Sequence, residues 1–239
     1  MSDDLDYLLD RAGPSGTFLR FLLAHTGRED LFDVRGDAVW SHGRRARVHV
    51  VGGWLLGPPG PESEALVREI LADPSVDSAY IDVGEPVSPP EGWQLVTDRI
   101  LVHPGPLPAP DAQVVSGRAF DERVEAGQLH PALADLVPPP AIWSRLPFRF
   151  HGVVEGDAIV AMCDTTVDDG THVVVQQVHT APEHRGRGLG ARVARGAVAA
   201  NPDRRALWVC DLENRASEAT ARAAGFVRLR EVPLLVRDR

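Results

Sequence analysis

The chain has 239 residues, an apolar share of 44% and a net charge of −9, enough to build a sizeable core and too acidic to favour nucleic acid or an anionic membrane as main partner. All 25 basic residues are arginines, so mechanisms that need a Schiff-base or phosphate-loop lysine are excluded. Its two cysteines, Cys163 and Cys210, lie in apolar strand-like runs with no paired Cys/His spacing, which points to buried thiols in a reducing compartment and to no metal. No apolar run reaches the ~20 residues of a membrane span. The acidic opening MSDDLDYLLD is unlike a secretory signal, and the expected location is the cytoplasm.

In chain order, the spacing of apolar residues predicts a helix over Leu5 to Leu23, interrupted near AGPSG. A strand over Ala46 to Leu56, a helix over Glu62 to Ala72 and strands over Ser78 to Val83 and Trp93 to His103 follow. HPGPLPAPDA has the composition of a linker, and VPPPAIW that of a stiff connector. Beyond the linker come a short strand near Val114 and Val115, helical material from Asp121 to Val137, and a hairpin from Phe148 to Val167 turning at Glu155-Gly156-Asp157. A third strand, Thr171 to Thr180, leads to a helix from Leu189 to Ala200 that stops at Asn201-Pro202. A strand over Ala206 to Leu212, a helix over Arg215 to Ala224 ending at Gly225, and closing strands complete a β-β-β-α-β-α-β order. The expected division is an N-terminal α/β region over 1–103, a linker over 104–111 and a second domain over 112–239. The fold class is α/β, with a mixed, mostly antiparallel sheet flanked by helices.

One junction concentrates the chemistry. VHTAPEHRGRGLGARVAR (Val178 to Arg195) carries four arginines against one glutamate, at a strand-to-helix turn with glycines at 186, 188 and 190. A helix N-terminus offers unpaired N–H groups and positive potential, and glycine lets backbone approach an anion closely. The turn reads as a phosphate cradle. A nucleotide-triphosphate loop is excluded by the missing lysine. Gly186, Gly188 and Ala191 satisfy G-x-G-x-x-A, with Asp211 about 20 residues on, the dinucleotide spacing. Against that reading, APEHR separates the strand from the first glycine, and too little chain follows.

RGRGLG (Arg185 to Gly190) resembles the pyrophosphate loop of the GNAT superfamily of N-acetyltransferases. ENRASEATARAAGF (Glu213 to Phe226) is similar to that superfamily's second motif, with Asn214, Ser217, Gly225 and Phe226 at matching positions. Asn214 and Gly225 also suit a helix N-cap and a C-terminal cap by themselves. The resemblance extends in strand and helix order over about 145 to 235. It implies transfer of an acyl group from acetyl-CoA, or another acyl-CoA, to a primary amine by direct attack in a ternary complex. It further implies that Val178, Thr180, Arg185, Gly186, Arg187, Gly188, Leu189, Gly190, Asn214 and Ser217 bind the coenzyme.

The sequence departs from the family at two places. The positions matching the family's bases are Val174 and Gln176, neither of which titrates, leaving Glu155, His172 and His179 as candidate bases. The position matching its thiolate-protonating tyrosine is Ala221, leaving Ser217 and Tyr80 as candidate donors. These departures keep open a second reading, an acyl-CoA-binding sensor or interaction module without catalysis. The N-terminal region repeats the helix, strand and Gly-aromatic order without a glycine–arginine loop, as a degenerate GNAT-like half would. Monomer and homodimer both fit the sequence.

Overall fold

The structure, a computed structural model, describes residues 20, 32–41, 53–83, 87–106, 108–137, 149–168 and 170–238. The helix expected over Leu5 to Leu23, all but Arg20, lies outside them, as do most of the strand expected from Ala46 and most of the VPPPAIW connector. The chain divides into two compact units: unit 1 comprises residues 1–99 and 230–239, and unit 2 comprises 100–229.

In unit 1 the described strands are β1 (Phe32–Arg35), β2 (Ala38–Ser41), β3 (Gly53–Leu56) and β4 (Ser78–Asp82), with helix α1 (Pro61–Ala72) between the last two. β1, β2 and β3 pair antiparallel, whereas β3 and β4 pair in parallel from Gly53↔Ala79 to Leu56↔Asp82. The β1–β2 hairpin turns at Gly36, whose φ of 52° is a left-handed conformation that costs glycine little. Leu66 and Ile70 of α1 are buried with Trp40, Leu55, Ile81 and Leu235.

The boundary differs from the expected one. β5 (Trp93–Val102) runs through it, with Trp93 in the core of unit 1 and Leu101 in that of unit 2. The last strand, β11 (Val227–Arg237), also crosses it: Leu234, Leu235 and Val236 pair antiparallel with Tyr80, Ala79 and Ser78. Arg237 lies 4.4 Å over the Trp93 ring, and its guanidinium donates to the carbonyls of Leu71, Asp73 and Val76. The C-terminus therefore belongs to unit 1 by apolar packing as well as by pairing.

Unit 2 begins with β6 (Val114–Ser116), helix α2 (Arg118–Glu125) and a 3-10 turn at Pro131–Leu136. Then come β7 (Arg149–Glu155), β8 (Ala158–Asp168), β9 (His172–Thr180), helix α3 (Leu189–Ala199), β10 (Arg205–Asp211) and helix α4 (Arg215–Ala223). The strand order is β10-β9-β8-β7-β6, antiparallel except for the parallel β9–β10 pair. The helical material expected over Asp121 to Val137 is thus two pieces, broken at Gly127.

α3 carries the core. Its sequence LGARVARGAVA turns Leu189, Ala191, Val193, Ala194, Ala197 and Val198 inward and leaves its two arginines towards solvent. Each buried Leu or Val is worth about 1.5–3 kcal/mol. The helix can sit close to the sheet because Gly196 faces Val114, where even a Cβ would overlap. Both cysteines are free thiols inside this core, Cys163 fully buried and Cys210 nearly so. On the other side of β7, Gly152 makes room for Phe120, which stacks on Phe150 at 5.4 Å.

His151 is fully buried on β7 and satisfied at both ring nitrogens: Ser116 Oγ lies 2.8 Å from Nδ1, and Thr165 Oγ1 3.1 Å from Nε2. Burial, with help from the Arg149 charge, lowers its pKa to about 3, so the ring is neutral in the folded protein.

Candidate active site

The site is built where two strands separate. β9 and β10 pair in parallel at His172↔Arg205, Val173↔Ala206 and Val174↔Leu207, and no further. β9 continues for six more residues to Thr180, and β10 for four more to Asp211. The gap between them is one wall of an open cleft of about 880 Å3.

β9 is itself irregular at this point. Against β8, Asp164 is opposite Gln176 and Met162 is opposite His179, so β9 carries one residue more than β8 across this interval. That is a β-bulge, which leaves one residue out of the ladder and re-aims those that follow. Gln177 has φ 51° and is the only non-glycine residue with positive φ among the described residues. Its side-chain Oε1 lies 3.2 Å from His179 Nε2.

The second wall is the N-terminus of α3. Its N-cap is Gly188 at φ 75°, with no side-chain cap and no acidic residue in the first turn. Gly186 shares that φ, and both positions have open space where a side chain would stand. Gly190 instead faces Thr220 and Val178, where a Cβ would come within 3.2 and 3.4 Å. α4 closes the third side. Asn214 caps it by accepting the N–H of Ser217 at 3.0 Å, and Trp208 Nε1 donates to Ser217 Oγ at 3.0 Å.

Nine of the ten residues expected to bind coenzyme line this cleft: Val178, Thr180, Arg185, Gly186, Gly188, Leu189, Gly190, Asn214 and Ser217. Arg187 does not; it pairs through both guanidinium nitrogens with Glu155, at 2.7 Å each. Arg192 is similarly engaged with Asp111, at 2.5 and 2.9 Å. Arg185 donates to the Thr180 carbonyl at 3.1 Å and Arg195 to that of Ala223 at 2.9 Å. Of the four positive charges counted in the turn, two are therefore neutralised by carboxylates and two are held by neutral acceptors. Arg185 is the one lining the cleft.

The candidate bases separate clearly. His172 is buried at the far end of β9, about 20 Å from Val178 at ~3.3 Å per residue. Glu155 is outside the cleft lining, and the Arg187 guanidinium, then His184, hold its carboxyl below the usual range. His179 lines the cleft; burial first, and the Arg185 charge second, push its pKa down. Gln176 also lines the cleft, whereas Val174 is core. Among the candidate donors, Ser217 is in the cleft wall. Tyr80 belongs to unit 1, where its hydroxyl donates to Asp98, and every cleft-lining residue belongs to unit 2. Ala221 is fully buried in the cluster that contains Trp208 and Phe226.

Trp208, His184 and Gln177 are cleft residues that the sequence reading missed. Two of them stand beside motif residues, but their roles depend on contacts between elements. His130, Glu183 and His184 bring three potential metal-ligand atoms within 4.8 Å of one another. Two of them already pair with each other: His130 Nδ1 accepts the N–H of Ala132 at 3.2 Å, which places the ring proton on Nε2, 2.7 Å from Glu183. Arg187, 3.1 Å from His184 Nδ1, adds a repulsive charge. His184 Nδ1 in turn lies 2.9 Å from Glu155 Oε2 at the hairpin turn, so the group braces that turn to the loop.

Residues 121–226 match the family model of the Acetyltransferase (GNAT) family. The fold is that of GNAT proteins over nearly the whole chain. A GNAT-family structure from Novosphingobium aromaticivorans aligns over 92% of this chain and 96% of its own, at 23% identity and TM-score 0.55. A GCN5-related N-acetyltransferase from Kribbella flavida aligns over 93% of both chains at 18% identity and TM-score 0.55. No curated protein matches the sequence. Among the described residues no helix is long and apolar enough to cross a membrane.

Proposed function

We propose that the GNAT domain transfers an acyl group, most simply acetyl, from acyl-CoA to a primary amine by direct attack within a ternary complex. The observation that carries this is the uncapped N-terminus of α3, with Gly186 and Gly188 in left-handed conformation beside a strand pair that has opened. An end-on helix with no acidic residue in its first turn suits a diphosphate.

In this reading Arg185 and the backbone from Gly186 to Gly190 would hold the pyrophosphate, and Asn214 would line the pantetheine arm. The thioester would lie along β9, where the bulge at Gln177–Val178 leaves peptide groups outside the ladder. A backbone N–H directed at a developing oxyanion is worth about 2.7–4 kcal/mol. The acyl-CoA supplies an activated thioester, and the chain supplies position and proton traffic. His179 would accept the proton of the incoming amine. Ser217 would steady the departing sulfur: its oxygen accepts from the donor-only indole of Trp208, so its own hydroxyl proton is available to the cleft.

The buried Ala221 supports a second reading, an acyl-CoA-binding module without turnover, because no tyrosine stands at that position. Calorimetry with CoA and thiol release from acetyl-CoA against an amine panel divide the three cases. Binding with release supports acyltransfer; binding without release across the panel supports the module. Absence of CoA binding removes both.

A further inference from the structure

We infer that Gln177 is a positioning residue that locks the His179 ring in one tautomer, with the proton on Nε2 and the Nδ1 lone pair open to accept a proton in the cleft. The use of that lone pair rests on the acyltransferase reading; the tautomer itself does not.

Gln177 pays for its place in backbone strain. A non-glycine residue at φ 51° is disfavoured relative to right-handed backbone, and glycine would form the same bulge without that strain. Neither Asn nor Gly stands there, although both tolerate this region better. What glutamine adds is a carboxamide long enough to reach two residues along the same strand, where Oε1 lies 3.2 Å from His179 Nε2.

The chemistry of the contact fixes the proton. An amide oxygen only accepts, so the ring nitrogen facing it must donate, and a neutral imidazole then carries its lone pair on Nδ1. Both residues line the cleft. The charged and titratable side chains sharing the cleft with His179 are His184 and Arg185; neither is anionic, so nothing in the lining favours imidazolium. Burial and the Arg185 charge act in the same direction and keep the ring neutral near pH 7. A fixed tautomer, a neutral ring and an oriented lone pair are the three properties a proton acceptor needs, and Gln177 supplies the first and third.

The test uses the full-length protein labelled with 15N in its histidine rings, with the His179 resonances assigned by their loss in His179→Gln. The wild type is expected to show the Nε2–H tautomer alone and a titration midpoint below that of a solvated histidine. Gln177→Gly keeps the bulge, since glycine accepts the φ, and is expected to release the ring into a mixture of tautomers. Gln177→Glu replaces a neutral acceptor by an anionic one and is expected to raise the midpoint by about one unit. With an active amine, Gln177→Gly should lower kcat about tenfold with little change in KM for acyl-CoA. An Nδ1–H tautomer in the wild type, an unchanged tautomer in Gln177→Gly or an unchanged midpoint in Gln177→Glu overturns the proposal. Loss of CoA binding by the wild type overturns the acyltransferase reading instead and leaves the ring measurement standing.

Discussion

Each unit contains a parallel strand–helix–strand crossover, and the two junctions where strand gives way to helix are built oppositely. In unit 1, β3 reaches α1 through Gly57-Pro58-Pro59-Gly60, with Pro61 opening the helix. Prolines at 58, 59 and 61 remove backbone donors, Ser63 Oγ donates to the Pro58 carbonyl at 2.7 Å, and Glu62 and Glu64 put negative charge on the first turn. In unit 2 the junction has no proline after Pro182 and no carboxylate in the first turn of α3, while neither helix start has a side-chain cap. The strands differ in the same sense. β3 and β4 stay paired along the whole of β3, whereas β9 and β10 part six residues before β9 ends. The first junction carries its own negative charge and fewer backbone donors, whereas the second carries neither feature, as the proposed phosphate site requires. The two crossovers thus differ in first-turn charge, in proline content and in how far their strands stay paired.

The sharpest way to break this contrast is to fill the open junction. Gly188→Val puts a β-branched side chain at φ 75°, and CoA affinity measured by calorimetry should fall about 100-fold, roughly 2.7 kcal/mol. Retained affinity would mean that the helix end is not the phosphate site. Acid should separate the units next. His151 has a folded pKa of about 3 against about 6.5 unfolded, so the unfolded chain binds the extra proton between these values. Stability is therefore complete above pH 6.5 and declines as pH falls towards 3. Between pH 7 and pH 5 unit 2 should lose about 2 kcal/mol, read as a lower urea midpoint; His151→Gln should flatten that slope.

Charge neutralisation gives a smaller effect that divides the arginines. Arg185→Ala should weaken CoA binding about tenfold, a charge-assisted contact of roughly 1.4 kcal/mol. Arg187→Ala, whose partner is Glu155, should change affinity by about threefold or less. The reverse order would move the pyrophosphate towards the hairpin turn. Smallest of all, Glu62→Gln with Glu64→Gln should leave CoA binding unchanged and cost unit 1 about 0.3–1 kcal/mol per residue in thermal unfolding, the worth of a carboxylate at a helix start.

Much of unit 2 was legible because its signals are local. The Gly156 turn, the Asn214 cap and the run from Gly186 to Gly190 each fix backbone within a few residues, and the strands and helices between them fall within a residue or two of the structure. What escaped is long-range. Arg187 reads as a phosphate ligand, and Arg192 as part of the turn's positive charge, until Glu155 and Asp111, 32 and 81 residues away, are seen to hold them. The bulge at Gln177 is a matter of register against β8, which no residue type in VVVQQVHT announces. Ser78 to Tyr80 claims the end of β11, moving the last residues into unit 1. The β1–β2 hairpin was missed although Gly36-Asp37 is a turn signal, because each strand has only four residues, too short for alternation to stand out.

The burial of Cys163 and Cys210 has a practical side. Desolvation pushes the Cys163 thiol far up, and a thiol held protonated and away from solvent reacts slowly with disulfide dyes. Under the proposed acyl transfer, every fast-reacting sulfhydryl in an assay mixture would then be liberated coenzyme, with little protein background. The same silence makes the pair an integrity gauge: two equivalents of delayed colour mark the moment the interior opens.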